Sequence, residues 1–136
     1  MKSINLKTIL ATSMLVLFGL ALMSGTGPQK PWDIPAKFKT MKNAKTNDAA
    51  SVAAGKELWN KNCASCHGKT GLGDGPKART LETYAVNFTK PAFQGQTDGE
   101  LFYKTKIGRG EMPKYEGKIG DDDIWHLVNF MRSLKK

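Results

Sequence analysis

Cys63-Ala64-Ser65-Cys66-His67 uses every cysteine of the 136-residue chain and one of its two histidines. Two thiols three positions apart, with an imidazole directly after the second, admit four readings. A thioredoxin-like redox pair needs a strand before it and a βαβ frame around it, whereas the flanks here read helical and then glycine-rich. A zinc site needs about four protein ligands, and no second cysteine pair or His-x-His spacing supplies them. A structural disulfide gives no reason for His67 to follow. The fourth reading employs the whole motif: each thiol adds across one vinyl group of a haem, and the histidine ligates the iron, which is the haem c attachment pattern. A short turn at the end of a helix presents both sulfurs and the imidazole to one edge and one face of a flat macrocycle. The expected cofactor is one covalent haem c on Cys63 and Cys66, with His67 as an axial ligand.

Working upstream, Asp48 is placed to cap a helix running to about Asn60, with Val52, Gly55 and Trp59 on one face and Cys63 at its next step. A glycine on that stripe weakens the helix unless another helix crosses at close range. Downstream, Gly68-Lys69-Thr70-Gly71-Leu72-Gly73-Asp74-Gly75-Pro76 has no Gly-Lys-Ser/Thr ending and no preceding strand, so it reads as a turn-rich loop near the haem and not as a phosphate cradle. From Lys77 to Thr97 periodicity is weak, and Tyr84, Val86, Phe88 and Phe93 are candidate pocket or core residues.

Asp98 is expected to cap a short helix over Gly99 to Ile107 that stops at Gly108. Gly110-Glu111-Met112-Pro113 then places a methionine on an irregular loop where nothing periodic would bury it. Met112 is therefore the candidate second axial ligand, with the proline holding the loop extended. Met131 lies on the apolar stripe of the next helix and reads as core. His126 lies off that stripe and reads as a solvated surface histidine, and Met41 sits far upstream. The last helix runs from Asp121 to about Leu134, with Ile124, Leu127, Val128, Met131 and Leu134 at helical spacing and three aspartates at its N-terminal, dipole-favoured end. It is the expected partner of the helix bearing Gly55.

The N-terminal part has a different character. Lys2 and Lys7 precede an apolar run from Ile9 to Met23, a signal-peptide layout, so residues 1–25 read as a signal peptide or an N-terminal membrane anchor. The domain is thus expected in the periplasm or on the outer face of the cytoplasmic membrane. Residues 26–47, with three prolines and five lysines, read as an extended basic leader. Trp32 and Phe38 in it either dock on a partner or membrane surface or pack on the flank of the domain, residues 48–136.

The net charge of +9 raises the question of nucleic acid. Its distribution argues against it: from Asp48 onward 14 basic residues face 11 acidic ones, and two haem propionates would lower that +3 to about +1. No nucleic-acid motif accompanies the charge. A folding unit of fewer than about 100 residues buries a modest core, so a large apolar cofactor at its centre is expected to supply much of it.

With these segments placed, the chain from about Asp48 to Lys136 resembles the class I monohaem cytochromes c of bacteria. The matches are Gly55 and Trp59 before Cys63-Ala64-Ser65-Cys66-His67, then Gly73-Asp74-Gly75-Pro76, Met112-Pro113, and Ile124-Trp125 leading to Phe130-Met131-Arg132. Trp59 and Phe130 stand where that family often has phenylalanine and tyrosine. The resemblance implies an all-α fold of three to five helices around one haem, with His67 and Met112 as axial ligands. Two protein ligands fill the iron, and a thioether favours its ferrous state, so the expected function is one-electron transfer, as a respiratory carrier between a quinol-oxidising complex and a terminal oxidase or reductase. The alternative is a haem-bearing subunit of a periplasmic dehydrogenase or sulfur-compound oxidoreductase. A haem sensor or peroxidase would need an open iron site. Expected partners are redox proteins, acidic ones if Lys104, Lys106, Arg109, Lys114 and Lys118 form a basic rim around Met112, and membrane respiratory complexes.

Overall fold

A computed structural model describes residues 30–136; the expected signal peptide or anchor, residues 1–25, lies outside the described residues. Six α-helical segments follow in order: α1 (Ala36–Lys39), α2 (Ala49–Asn62), α3 (Ala64–His67), α4 (Pro91–Gln94), α5 (Asp98–Ile107) and α6 (Asp121–Ser133), with a 3-10 turn at Ala78–Thr80. Only α2, α5 and α6 exceed about one turn, and they carry the fold. Among the described residues there is no strand, only a lone bridge between Arg109 and Met112. The expected all-α fold is the observed one.

Helix α2 begins where Asp48 satisfies an otherwise unpaired donor: its carboxylate accepts from the Ser51 backbone N–H at 2.8 Å. Helix α5 corrects the expected cap. Thr97, not Asp98, occupies that position; its hydroxyl accepts from the Glu100 N–H, and the Glu100 carboxylate accepts from the Thr97 N–H at 2.7 Å. This reciprocal pair satisfies two orphan donors and leaves the Asp98 carboxylate to the Arg132 guanidinium of α6, 2.7 Å away.

The principal packing is α2 against α6, with α6 also against α5. At the crossing, a Cβ on Gly55 would lie 2.6 Å from the His126 carbonyl carbon and 2.9 Å from Phe130 Cβ, so only glycine lets the two backbones approach this closely. Trp59, fully buried, reaches Phe130 at 5.5 Å between centroids. Ile124, Leu127, Val128 and Met131 of α6 complete the apolar face as its periodicity predicts. Burying each such side chain stabilises by roughly 1.5–3 kcal/mol.

His126 differs from its reading as a solvated residue. Its Nδ1 shares a 2.7 Å hydrogen bond with Ser51 Oγ, its direction set by the imidazole tautomer, and that hydroxyl accepts from Asn129 Nδ2, also at 2.7 Å. Asn129 donates further to the Thr46 carbonyl and accepts from Asn43. A short polar chain thus ties the segment before α2 to α6.

That segment is not simply extended and solvated. Ile34 is 7 % exposed, α1 forms one turn, and Phe38 stacks on Phe102 and lies 4.7 Å from Tyr103. Of the two readings of Trp32 and Phe38, the contacts are those of packing on the flank. The lysines at 37, 39 and 42 remain exposed.

Candidate cofactor site

Cys63 is where α2 ends and α3 begins. Its N–H still donates to the Trp59 carbonyl, its own carbonyl accepts from His67 at 2.9 Å, and its φ of −119° breaks the helix between them. The turn that follows therefore carries Cys66 and His67 around the end of α2. The carbonyls of such a one-turn helix need donors, and the glycine-rich loop supplies them. Gly73 N–H donates to His67 O at 2.9 Å, Gly75 N–H to Cys66 O at 3.2 Å, and Lys77 N–H to Ser65 O at 2.8 Å. Residue 75 must be glycine for this, because a Cβ there would meet the carbonyl oxygens of Ser65 and Ala64 at 2.5 and 2.6 Å. The glycine-rich loop is thus the scaffold of the turn that carries Cys66 and His67.

The imidazole of His67 is fixed by aromatic rings. Phe88 meets it edge-on at 4.9 Å and Trp59 lies at 5.7 Å, while Trp59 and Phe88 pack edge to face at 4.8 Å. The Trp59 indole N–H donates to the Gly68 carbonyl at 2.9 Å and so locks the far side of the turn. Phe93 extends the group, and Phe88 and Phe93 are buried as expected for pocket or core residues. Tyr84 departs from that expectation at 55 % exposed, which sets it outside the core.

Burial pushes the His67 pKa down and the Val86 backbone pushes it up, although no hydrogen bond of good geometry joins them: Nδ1 is buried without a partner. An unpaired buried nitrogen costs about 1–3 kcal/mol, and a metal bond at one ring nitrogen with the other turned to a backbone carbonyl is the usual resolution. Both cysteines are free thiols; Cys63 is buried, with its pKa pushed up to about 12 by burial first and Cys66 second, and Cys66 is half-buried. Two free thiols beside a half-buried imidazole whose Nδ1 is buried without a partner fit a covalently attached haem.

Met112 lies on the connection between α5 and α6. Its backbone exchanges two hydrogen bonds with Arg109, at 2.9 and 3.0 Å. Three residues on, Tyr115 donates its hydroxyl to the Asn62 carbonyl at 2.7 Å, and both thiols act on its pKa. Tyr115 therefore brings the methionine loop against the end of α2, beside the cysteines. Sequence reasoning missed this residue, since a lone tyrosine in an aperiodic loop carries no pattern. It also missed Glu111, which accepts from the Thr83 N–H at 3.2 Å and ties the loop to the segment before Phe88.

The basic rim is largely consumed inside the molecule. Lys106 pairs with Asp121 at 2.7 Å and Lys114 with Glu116 at 2.6 Å, while Lys104 bonds Gln96 and, like Arg109, lies over Trp32. Two surface clefts, of about 310 and 380 Å³, include none of Cys63, Cys66, His67 and Met112 among their lining residues.

A family model described as cytochrome C oxidase, cbb3-type, subunit III matches residues 50–131, which include the whole motif, the methionine loop and most of α6. The chain belongs to this cytochrome c family. The cytochrome is 35 % identical over 82 residues to cytochrome c6 of Leptolyngbya boryana, an alignment covering 60 % of this chain and 91 % of that protein. It is 32 % identical over 99 residues to the cbb3-type cytochrome c oxidase subunit CcoP of Azospirillum sp. (strain B510), covering 68 % of this chain and 31 % of that subunit. It is 30 % identical over 90 residues to the cytochrome bc1 complex cytochrome c subunit of Corynebacterium diphtheriae, covering 65 % and 29 %. Among solved structures, a chain of the Kuenenia stuttgartiensis reducing HAO-like protein complex superposes with a TM-score of 0.62 at 23 % identity, covering 80 % of this chain and 50 % of that one. The cytochrome is a monohaem c-type electron-transfer protein that works with redox partners. No helix among the described residues is long and apolar enough to cross a membrane.

Proposed function

We propose that Cys63 and Cys66 hold the haem through thioethers, that His67 and Met112 are the two axial ligands, and that the cytochrome relays single electrons outside the cytoplasm. The observation that carries this is the half-buried imidazole of His67, held by Trp59 and Phe88 directly after two free thiols, with its Nδ1 buried and unpartnered. When bound, the haem iron supplies a one-electron couple at a site closed to substrates. The chain's own part is to hold the imidazole and the thioether rigidly, so that little rearranges when the charge changes. Trp59, Phe88 and the glycine loop do this on the histidine side, and Arg109, Glu111 and Tyr115 on the methionine side. Among the described residues, the ring partners of His67 are Trp59 and Phe88.

The relatives named as bc1 and cbb3 subunits support a place between a quinol-oxidising complex and a terminal oxidase or reductase, in the periplasm or on the outer face of the cytoplasmic membrane. This chain spans less than a third of either relative. That same fact supports the second reading, in which the cytochrome is the haem-bearing subunit of a larger periplasmic oxidoreductase. Copurification of the exported protein with a larger subunit separates the two.

The ligand pair is tested on the ferric protein. The intact cytochrome is expected to show the near-infrared sulfur-to-iron charge-transfer band, and Met112→Ala to lose it while keeping covalent haem by mass. The potential of that variant should fall, within the roughly 0.8 V over which axial ligands tune haem. An intact protein without the band would overturn the assignment of Met112 and favour an open-site haem protein.

A further inference from the structure

The connection from α5 to α6 has no helix or sheet of its own, and its shape depends on a few contacts at its rim. Gly110, at φ 58°, has nothing within 4 Å of where a Cβ would be, so the turn next to Met112 is open on that side. Arg109 is the residue at which the N-terminal segment reaches this loop. Its Nη1 donates to the Lys30 carbonyl at 2.7 Å and to the Pro31 carbonyl at 3.3 Å. Its guanidinium carbon lies 4.3 Å from the centroid of the Trp32 ring, over which Lys104 also sits at 5.7 Å. The same residue's backbone makes both hydrogen bonds to Met112. One residue is thus gripped through its side chain by the N-terminal segment and grips Met112 through its main chain.

The grip is anchored at its other end. Ile34 is buried, Phe38 packs on Phe102 and Tyr103 of α5, and a Cβ on Gly99 would lie 2.8 Å from Met41 Cβ, so the segment lies directly on α5. Asn43 and Thr46 fasten it to Asn129 of α6. Trp32 is therefore delivered to Arg109 by a chain tied at several points, and its restraint on the loop costs little further entropy.

We propose that residues 30–41 form a clamp that, through Arg109, holds the Met112 loop shut, making Trp32 and Arg109 positioning residues for the methionine. This rests on the reading of Met112 as an axial ligand. A small neutral ligand such as imidazole can reach the iron only in molecules whose loop has opened, so its apparent affinity scales with the open fraction. Loosening the clamp raises that fraction without touching a ligand.

The test titrates the full-length ferric holoprotein with imidazole, comparing the intact chain with Trp32→Ala, Arg109→Gln, the double variant, and Lys39→Ala as an exposed control on α1. Both clamp variants should keep the sulfur-to-iron band before imidazole is added and bind imidazole about tenfold more tightly. The double variant should add little to Arg109→Gln, because Trp32 acts through that residue, and Lys39→Ala should match the intact chain. Unchanged imidazole affinity in the clamp variants, with the band present in the intact protein, would overturn the clamp alone; so would a loss of thermal stability without a change in affinity. Absence of the band from the intact protein would instead sink the ligand assignment, and the clamp with it.

Discussion

Gly55 carries a restraint out of proportion to its size, because it is the point at which two helix backbones touch. Adding one methyl group there drives a carbon into the His126 carbonyl, and neither partner is a flexible side chain that can swing away. Gly55→Ala should gain some helix propensity yet lose more to the forced separation of α2 and α6, typically about 1–3 kcal/mol for overpacking. Thermal unfolding of the holoprotein is the measurement, with a fall of about 4–8 °C per kcal/mol expected for a domain of this size; an unchanged or raised midpoint would contradict the packing described. This crossing was legible in the sequence because a glycine on an apolar stripe weakens its helix, a loss that a second backbone at close range offsets. His126, one turn into the opposite helix, was not. Its side chain leaves the stripe, and only the fold reveals that Ser51 and Asn129 wait there to pair with it.

Among the elements, long helices announced themselves and single turns did not. The periodic residues of α6 and the cap of α2 fall where the pattern put them, whereas α1, α4 and the 3-10 turn are too short to repeat any spacing. The cap of α5 slipped by one residue because Thr97 and Asp98 are both good caps, and the choice was made by Arg132 claiming the aspartate. The methionine loop was recognisable from Met112-Pro113, but what fastens it was not. Tyr115 offers a pH test of one fastening. Burial chiefly, and the neighbouring thiols next, push its phenol up to about 12, and the neutral phenol is the form that donates to Asn62. A folded pKa raised above the unfolded value contributes stability below the unfolded pKa, near 10, and loses it as pH rises toward the folded one. With both sulfurs as the proposed thioethers, only the burial part remains, with the same sign. Tyr115→Phe should therefore cost about 0.5–1.5 kcal/mol at neutral pH, and the gap between variant and intact protein should close as pH is raised above about 10. Unfolding curves across that range check it; a gap that widens with pH would refute the role given to the hydroxyl.

For the whole molecule, charge and cofactor decide most. The surplus of lysine sits before Asp48, and the lysines nearest the methionine are mostly paired with aspartate, glutamate or the Trp32 ring, so the domain itself presents a nearly balanced surface. Its core is a single cluster in which Trp59, Phe88, Phe93 and Phe130 meet the helix stripes. A domain this small gains its margin from whatever else it buries. Cys63→Ala with Cys66→Ala, exported without haem, should lack most of the far-UV circular dichroism of the intact cytochrome. A near-native spectrum would show that the aromatic cluster suffices unaided.

The two sulfurs are not equivalent in the folded chain. Cys66 is half-buried, while Cys63, at the end of α2, is buried with its thiol pKa pushed up to about 12. A polypeptide that had already closed would offer a visiting porphyrin one partly accessible thiol and hide the other. With both thiols carrying the haem as proposed, maturation is expected to make both carbon–sulfur bonds on a loose chain and to wrap the polypeptide afterwards, so that the pigment acts as a template for its own container.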